Sequence, residues 1–444
     1  MMQITRLIKH VQKYLANDIY QLPPNARINS FILHYYNEIV RHWNTLNYII
    51  NKTLRYMGTG HVQDPSVKAT LFYLSYRFYY ERAKLDRLKN ELEKGTIFNS
   101  DLKKLINQFI QNVNSFSMKK ALQHKERKEI LSIKSSIPSF TIDRLKDYLS
   151  LNRIQKEYEY MDKMGNAPFK SLRINDLNQK ISNEEVIKRL TKFLNLSDKD
   201  LIFDEHLPEI IYIPKKYKTT LLESELYRQG YILFHDKASS VVIKCLKPQS
   251  GDFLLDMCAA PGIKTSLMAQ KSNNEALIIA NDFSFERIIQ SRNLLNKLSA
   301  EQVVSLNADA ISPPIREGVK FDRILVDAPC TGSGTFVSNP ELKWRQNWEF
   351  LNQNLIFQEN LLKSALHLLK NEGVLVYSVC SLYPEEAEFQ MLKFRDQLEP
   401  LNLPKWLSSS YIMGGKTIQG TGRLFPTLQN TLGFFIAKFK KRGI

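Results

Sequence analysis

Two of the four cysteines in this 444-residue chain follow apolar runs that are typical of buried strands. Cys330 lies in V-D-A-P-C-T-G-S-G, and Cys380 lies in Y-S-V-C-S-L-Y-P-E-E. A thiol in such a place can be a small core residue, half of a disulfide, a metal ligand or a nucleophile. Either cysteine alone would most often be packing, but neighbouring strands of one sheet end close together, so both thiols should face one crevice. The pair therefore favours thiol chemistry over packing.

The cysteine spacing bears on the disulfide and metal alternatives. The four cysteines, which include Cys245 and Cys258, form no C-x-x-C pair and no zinc spacing. This pattern favours a reducing cytoplasm, where a disulfide is disfavoured, and it argues against a bound metal. The N-terminus lacks a secretion signal, and the longest apolar runs fall far short of the roughly 18 residues that a membrane span requires. We therefore predict a cytoplasmic protein with no metal and no membrane partner.

Two thiols beside a carboxylic acid fit the methylation of a pyrimidine at carbon 5. That carbon is a poor nucleophile until a thiolate adds to carbon 6 and leaves an enamine. A free thiol, with a pKa of about 8.5, is largely protonated at neutral pH, so the site should lower that pKa. Asp327, which precedes Cys330 in the same motif, could stabilise the adduct near nitrogen 3 of the base. The second thiol could help to remove the proton from carbon 5.

The elements that must position these residues form an alternating pattern from residue 251 onward. The predicted strands include F-L-L-D-M, A-L-I-I-A-N-D, Q-V-V-S-L-N, F-D-R-I-L-V-D-A and G-V-L-V-Y-S-V, with helices between them. Apolar strands without alternation are buried on both faces, so the fold class is predicted to be α/β, with a mostly parallel sheet between helices. The closing G-R-L-F-P and G-F-F-I-A-K-F predict an antiparallel edge pair, and Pro384 is predicted to open a helix.

The polar residues at the carboxyl ends of these strands are candidates for a cofactor site, because ligands of open parallel sheets bind there. The first strand is followed by D-M-C-A-A-P-G-I-K-T, whose small residues let the backbone approach a ligand. The next strands end near Asp282, Asp309 and Asp327. No G-x-G-x-x-G and no G-x-x-x-x-G-K-[ST] follows the first strand, so a pyrophosphate cradle is poorly supported. A ribose-binding acid with further carboxylates nearby fits S-adenosylmethionine, although such acids are also common as helix caps.

Two further regions precede this one. Residues 1–150 contain 24 Lys and Arg against 12 Asp and Glu, a net charge of +12 out of +17 for the chain, and their apolar residues recur at helical spacing. They are predicted to form an all-helical domain with a polyanionic partner, although a basic face kept for solubility is the alternative. Residues 166–230 are predicted to form a small α+β module, with the strand K-S-L-R-I-N and a helix capped by Ser182. Residues 231–444 form the third predicted domain.

Four motifs together resemble the Sun (NOL/NOP/Sun) family of RNA cytosine-5 methyltransferases: D-M-C-A-A-P-G-I-K-T, V-D-A-P-C-T-G-S-G, N-P-E-L-K-W-R and Y-S-V-C-S-L-Y-P-E-E. They span roughly residues 230 to 440. The resemblance implies a Rossmann-like, S-adenosylmethionine-dependent methyltransferase domain over residues 231–444. It also implies that Cys380 is the nucleophile that bonds carbon 6, that Cys330 assists product release, and that Asp327 is a third catalytic residue.

The resemblance also implies a set of cofactor contacts. The S-adenosylmethionine loop of the family corresponds to residues 258–264, the ribose acid to Asp282 and the adenine-side acid to Asp309. The implied cofactor-binding residues are Cys258, Ala259, Ala260, Pro261, Gly262, Ile263, Lys264, Asp282, Arg287, Asp309 and Asp327.

Upstream of these motifs the resemblance continues. The stretch S-L-R-I-N resembles the start of the small RNA-recognition-like module of these enzymes. The helical first third, which ends in S-I-P-S-F-T-I-D-R-L, resembles the NusB-like domain of the bacterial small-subunit ribosomal RNA members. The chain departs from the family at Val379, Ala387, His235 and Leu432, where Thr, Asn, Gln and Asp respectively are common. These departures bear on fine positioning and on the choice of RNA, since none removes a predicted catalytic group.

The reading that the resemblance favours is an RNA cytosine-5 methyltransferase, with ribosomal RNA favoured over transfer RNA as the partner. The target base must leave its stack, which costs on the order of a few kcal/mol, so an unpaired cytosine is expected. A DNA cytosine methyltransferase, in which Cys330 would attack, is the closest enzymatic alternative. An RNA-binding ribosome assembly factor with dispensable activity is an alternative of another class, and a small-molecule methyltransferase would leave the basic first third without a purpose. A monomer is favoured.

Overall fold

The computed structural model of the chain describes residues 2–17, 29–93, 100–165, 169–178, 180–197 and 200–443. The chain divides into two compact units. The first contains Met1–Glu159 and Phe336–Gln346, and the second contains Tyr160–Thr335 and Asn347–Ile444. The segment Phe336–Gln346 belongs to the first unit although it lies within the sequence of the predicted third domain. The predicted domain boundaries stay a prediction.

The first unit is helical. Its helices are α1 (Met2–Asn17), α2 (Ser30–Arg41), α3 (Trp43–Tyr56), α4 (Pro65–Tyr79), α5 (Leu85–Glu93), α6 (Ser100–Val113), α7 (Met118–Ala121), α8 (Arg127–Lys134), α9 (Ser139–Leu145) and α10 (Leu151–Gly165), the last of which continues into the second unit. Helix α4 begins where Asp64 accepts hydrogen bonds from two backbone N–H groups and Pro65 occupies the first turn. Ten of the fifteen residues of α4 are buried, so this helix contributes much of the core of the unit.

The N-P-E-L-K-W-R motif packs on helix α2 within this first unit. Residues Pro340–Arg345 form a 3₁₀ helix, and Nε1 of Trp344 donates to the backbone carbonyl of Val40 at 2.6 Å. The side chain of Lys343 is fully buried, and its ammonium donates to the carbonyl of Arg41. An indole N–H and a buried ammonium both need acceptors, and the carboxyl end of a helix supplies free carbonyls. These contacts explain why the segment belongs to the helical unit.

The second unit begins with a small α+β module. Its sheet has the strand order β2-β3-β1-β4, and each described pair is antiparallel. The elements are β1 (Phe169–Ile174), α11 (Asn183–Leu194), β2 (Ile202–Phe203), β3 (Ile210–Pro214), α12 (Lys218–Glu223), α13 (Glu225–Arg228) and β4 (Ile232–Phe234). The Ser182 side chain accepts from the backbone N–H of Glu185, so the predicted cap of α11 is confirmed.

A large sheet forms the rest of the second unit. Within the described residues it has nine strands, in the order β11-β12-β13-β9-β8-β5-β6-β7, with β10 paired to β13. The strands are β5 (Phe253–Asp256), β6 (Leu277–Asp282), β7 (Val303–Asn307), β8 (Phe321–Asp327), β9 (Leu369–Val379), β10 (Leu398–Pro400), β11 (Ser408–Ser409), β12 (Thr421–Leu424) and β13 (Phe434–Lys441). The helices are α14 (Lys237–Leu246), α15 (Ile263–Lys271), α16 (Phe285–Lys297), α17 (Trp348–Leu368), α18 (Glu388–Lys393) and α19 (Pro426–Gln429).

Strands β5 to β9 run parallel, and β10 to β13 are antiparallel additions, so the predicted α/β fold with a mostly parallel sheet is confirmed. The predicted pair β12–β13 is also confirmed as antiparallel, although β13 lies inside the sheet, next to β9. The chain passes from β5 outward to β6 and β7 and then returns to β8 on the other side of β5. This reversal is the place where open α/β sheets bind ligands.

One local prediction is wrong. Helix α18 begins at Glu388, four residues after Pro384. The hydroxyl of Tyr377 donates to the carbonyl of Glu386, and the carboxylate of Glu386 is bound by the loop that follows Cys330. These long-range contacts hold residues 384–387 in a turn. Across the described ranges, every helix is too short or too polar to cross a membrane.

Candidate active site

The two predicted catalytic cysteines meet at the carboxyl ends of β8 and β9. Asp327 is the last residue of β8 and pairs in register with Ser378, near the end of β9. Cys330 and Cys380 follow these two strands, and their sulfur atoms lie 3.2 Å apart. Both side chains are partly exposed, and all four cysteines are free thiols. Strand pairing thus brings together two thiols that are 50 residues apart in the chain.

A buried carboxylate joins the two cysteine loops. Glu386 is fully buried, and its Oε1 accepts from the backbone N–H of Thr331 at 2.8 Å and from Nε2 of Gln358 at 3.0 Å. Its Oε2 accepts from the hydroxyl of Thr331 at 2.5 Å. Gln358 also donates to the carbonyl of Pro329. Because Thr331 follows Cys330 directly, these hydrogen bonds fix the loop of Cys330 against the segment that follows Cys380.

An ion pair lies beside the thiols. Nζ of Lys264 is 2.6 Å from Oδ2 of Asp327, and the hydroxyl of Ser378 donates to Oδ1 of the same carboxylate at 2.6 Å. Burial lowers the pKa of Lys264, but the negative charge of Asp327 and its hydrogen bond outweigh burial and raise that pKa. The charges of Asp256 and Cys380 act in the same direction. An ammonium that interacts electrostatically with Cys380 therefore stands in the crevice.

Burial and neighbouring groups raise the pKa of three cysteine thiols, those of Cys330, Cys258 and Cys245. The hydrogen bond with Cys380, burial and the charges of Cys380 and Glu386 raise the pKa of Cys330 well above its usual range. Burial and nearby carboxylates, Asp256 first among them, raise the pKa of Cys258. Burial raises the pKa of Cys245 to about 12. These three thiols are poor nucleophiles at neutral pH, because the thiolate is the reactive form.

The loop of residues 258–264 connects β5 to α15 and is built for close packing. Gly262 caps α15 with φ +93°, and a Cβ at that position would lie 2.4 Å from Oγ of Ser291 on α16. Only glycine fits such a conformation and such a contact. The guanidinium of Arg287 donates to the carbonyl of Ala260 at 2.6 Å. The backbone N–H of Ala260 donates to Oδ2 of Asp282 at 3.1 Å, so the strand-end acid and the loop hold each other.

A cavity of about 180 Å³ lies against this loop. Of the predicted cofactor-binding residues, those that line it are Cys258, Ala259, Ala260, Pro261, Ile263, Lys264 and Asp327. Gly262 shapes the loop without lining the cavity. Asp282 and Arg287 contact the loop, and Asp309 lies beyond β7, exposed, where it caps the following turn through the N–H of Ile311. The structure thus gathers most of the predicted residues at one end of the sheet, and their roles stay predictions.

Comparisons with known proteins agree with this geometry. Residues 243–440 match the family described as 16S rRNA methyltransferase RsmB/F. The chain is 30% identical over 298 residues to a ribosomal RNA small subunit methyltransferase B of Photorhabdus laumondii, with 66% of this chain and 65% of that protein covered. The match assigns residues 243–440 to the RsmB/F methyltransferase family. The fold is similar to the crystal structure of PH0851, with a TM-score of 0.76 and 25% sequence identity. The match covers 98% of this chain and 98% of that protein.

A second relative is named for transfer RNA instead of ribosomal RNA. The chain is 33% identical over 234 residues to a tRNA (cytosine(72)-C(5))-methyltransferase of Pyrococcus horikoshii, with 52% of this chain and 58% of that protein covered. The match to each of these two curated relatives therefore spans less than two thirds of the relative's length. The resemblance of the first helical region to a NusB-like domain stays a prediction.

Sequence patterns did not identify several of the residues that line the cavity. Four more side chains line it: His235, Asp236, Ser239 and Asp256. Asp256 stands within the quoted D-M-C-A-A-P-G-I-K-T motif, and its position at the end of β5 was a signal that could have found it. Asp236 caps α14, which explains an acid there without a ligand. In the described part of the chain, no three His, Cys, Asp or Glu side chains are grouped to hold a metal ion.

Proposed function

We propose that this protein transfers a methyl group from S-adenosylmethionine to carbon 5 of a cytosine in RNA, through a covalent bond between Cys380 and carbon 6. The observation that carries the proposal is the sulfur pair, 3.2 Å apart, next to the Lys264–Asp327 ion pair at the ends of two adjacent strands. Chemistry at carbon 5 of a pyrimidine calls for a nucleophile, a charge-stabilising group and a base. The three requirements are met by Cys380, by the ion pair and by Cys330.

The residues present fit S-adenosylmethionine as the methyl donor. Asp282 ends β6 and is held by the N–H groups of Ala260 and Ser284, which leaves a fixed carboxylate for ribose hydroxyls. The loop at Gly262 permits close approach of the backbone, and the cavity beside it contains both acidic and basic side chains. The donor would be held by residues 258–264, Asp282, Arg287, Asp309 and Asp327. When bound, it supplies an electrophilic methyl group on a sulfonium.

The protein side chains then act in successive steps of bond formation and proton transfer. The thiolate of Cys380 adds to carbon 6, and the Lys264–Asp327 pair hydrogen-bonds the base edge and stabilises the charge that develops on the ring. Carbon 5 takes the methyl group. Cys330 lies 3.2 Å from Cys380; it gives its own proton to solvent water, and the resulting thiolate takes the proton from carbon 5. The bond between Cys380 and carbon 6 breaks as the ring double bond re-forms, and Cys380 leaves as a thiolate.

RNA is the partner that charge and composition favour. The excess of +12 in residues 1–150 suits a phosphate backbone. The helical unit contains a cavity of about 550 Å³ whose lining includes Tyr35 and the cations Arg82, Lys84 and Arg87. Ribosomal RNA is favoured, because the family description and the Photorhabdus relative both name rRNA, and transfer RNA is the alternative that the Pyrococcus relative supports. We expect a cytoplasmic monomer that binds no metal.

The experiment is methyl transfer from labelled S-adenosylmethionine to total RNA of cells that lack the gene, followed by nuclease digestion. Labelled 5-methylcytidine is the expected product, and bisulfite sequencing with and without the gene locates it. Filter binding of the same RNA provides the comparison. Strong binding without any transfer would contradict the proposal and favour an assembly factor, and label in DNA alone would favour the DNA enzyme.

A further inference from the structure

The cavity of the helical unit has an aromatic wall. It measures about 550 Å³ and is lined by residues of α1, α2, α4 and α5 and of the turn between the last two. Three residues form the aromatic wall: Phe31 and Tyr35 on α2, and Tyr73 on α4. The ring centroids of Phe31 and Tyr35 are 4.6 Å apart, and those of Tyr35 and Tyr73 are 5.3 Å apart. Phe31, the most exposed of the three, is the ring on which a flat ligand can stack.

Three exposed cations surround the same cavity. They are Arg82, Lys84 and Arg87, which we call the cationic rim. A fourth cation, Arg77, is buried, and its Nε lies 2.6 Å from Oε2 of Glu81, the only acid among the described residues that line the cavity. The lining therefore has a net charge of +3, and the side chains of Arg82 and Lys84 form no ion pair with any described residue. Such a rim suits a ligand that carries phosphate groups.

The backbone at Arg82 supports a role for its side chain. The turn after α4 is closed by a hydrogen bond of 3.0 Å from the N–H of Ala83 to the carbonyl of Arg77. Within this turn Arg82 has φ +52°, in the left-handed region that glycine adopts without strain. An arginine is less favourable there than a glycine, so the turn itself does not require this residue. Recognition of a ligand by the guanidinium accounts for its presence.

Glu81 determines which end of a nucleotide enters the cavity. Its Oε2 accepts from the hydroxyl of Tyr35 at 3.2 Å and pairs with Arg77. Its Oε1 makes no hydrogen bond or ion pair with the described residues, so this oxygen can accept from a ligand. A carboxylate repels phosphate, but it accepts from the amino groups that adenine, cytosine and guanine carry. The base should therefore lie beside Glu81, with the phosphates at the cationic rim.

We infer that this cavity binds one unstacked nucleotide of single-stranded RNA, with its base against the aromatic wall, a base amino group donating to Oε1 of Glu81, and the adjacent phosphates at the cationic rim. The inference rests on the proposed function for RNA as the partner, and none of these residues takes part in the proposed methyl transfer. The volume falls within the range of about 300–1,000 Å³ that is usual for small-ligand sites, so a single nucleotide fits and a duplex does not. Side-chain stacking combined with phosphate contacts is the usual way in which proteins bind single strands.

The test measures the binding of labelled six-nucleotide RNA by the full chain, using fluorescence polarisation at several salt concentrations. Oligoadenylate offers amino groups without a cytosine to methylate, and oligouridylate has no amino group. Arg82→Gly/Lys84→Ala removes two cations of the rim and relieves the left-handed backbone, so its urea midpoint should not fall below that of the wild-type chain. Lys103→Ala/Lys104→Ala, which changes two exposed lysines of α6, is the control of equal charge. Phe31→Leu removes the ring, and Phe31→Tyr keeps it.

Each change has its own expected effect on binding. Loss of two phosphate contacts in Arg82→Gly/Lys84→Ala should reduce the slope of log K against log salt concentration by about 1.4, and the control pair should leave that slope unchanged. Phe31→Leu should weaken the binding of oligoadenylate about tenfold at an unchanged slope, and Phe31→Tyr should preserve it. Glu81→Gln, whose amide adds a donor, should reduce the preference for oligoadenylate over oligouridylate.

Several results would overturn the inference. They are equal salt slopes for the two double variants, binding by Phe31→Leu as tight as that of the wild-type chain, and an unchanged base preference in Glu81→Gln. Competition by hexaglutamate as strong as that by unlabelled RNA would also overturn it, because the ligand would then be an acidic peptide. Methyl transfer by the wild-type chain is measured in parallel. Transfer without the expected changes in binding overturns this site alone, whereas the expected changes without any transfer overturn the proposed function alone.

Discussion

The carboxylate of Glu386 joins the two cysteine loops, and its removal should affect both stability and thiol chemistry. Glu386→Ala leaves three buried donors without their acceptor: the N–H and the hydroxyl of Thr331 and the amide of Gln358. An unsatisfied buried donor costs about 1–3 kcal/mol. Gln358 retains the carbonyl of Pro329, and the Thr331 hydroxyl lies 3.4 Å from that of Ser381, so the N–H of Thr331 dominates and the expected loss is at most about 3 kcal/mol. For a unit of this size, that loss corresponds to a fall in Tm of about 6–12 °C.

The variant Glu386→Gln separates charge from shape. Its amide oxygen can still accept from Thr331 and Gln358, so the expected loss of stability is about 1 kcal/mol or less. Because the charge of Glu386 is one of the causes that raise the pKa of Cys330, its removal should lower that pKa. Alkylation of Cys330 by iodoacetamide, followed by mass spectrometry as a function of pH, should then have a lower midpoint than in the wild-type chain.

The two variants together can refute this account of the cysteine loops. If Glu386→Ala unfolds in urea at the wild-type midpoint, the carboxylate does not hold the loops. If Glu386→Gln leaves the alkylation midpoint of Cys330 unchanged, Glu386 carries no charge in the native protein, and the explanation given for Cys330 is wrong.

Two further predictions concern the cofactor loop. Gly262→Ala should destabilise the chain by about 2–4 kcal/mol, because φ is +93° and the new Cβ would lie 2.4 Å from Oγ of Ser291. Gly251→Ala is the control, because φ is +76° there but nothing lies within 4 Å of the new Cβ, so it carries only the backbone strain. Equal urea midpoints for the two variants would contradict the role of the Ser291 contact. Burial raises the pKa of Asp256 from 3.8 to about 7, so its contribution to stability is present below pH 4 and is lost as pH rises toward 7. Asp256→Asn should therefore gain stability relative to the wild-type chain between pH 5 and pH 8, by at most about 1.4 kcal/mol per pH unit. Parallel dependences of the free energy of unfolding on pH across that range would contradict a raised pKa of Asp256.

The sequence predicted the parallel sheet and the strand ends well because these depend on local patterns. Apolar runs without alternation identified β5, β6, β8 and β9, and adjacency of strand ends brought Cys330 to Cys380. The residues that complete the site depend instead on partners far away in the chain. His235 lines the cavity and contacts Arg173, which is 62 residues away in the chain, and no local pattern indicates this contact.

The same reason explains the misplaced helix start. Pro384 is a common first residue of helices, and nothing local to P-E-E indicates that Glu386 is bound by Thr331, 55 residues earlier. The N-P-E-L-K-W-R motif likewise follows the Cys330 loop in sequence, and the contacts of Trp344 and Lys343 with α2 assign it to the helical unit. Long-range hydrogen bonds of buried polar groups override local propensity in both cases.

Trapping of the covalent intermediate tests the central assignment most directly. RNA that contains 5-fluorocytidine cannot lose its carbon-5 substituent as a proton, so the bond between sulfur and carbon 6 should persist through denaturing electrophoresis. The wild-type chain and Cys330→Ser are expected to form this adduct in the presence of S-adenosylmethionine, and Cys380→Ser is expected to form none. An adduct with Cys380→Ser together with its absence in Cys330→Ser would contradict the assignment of Cys380 as the nucleophile.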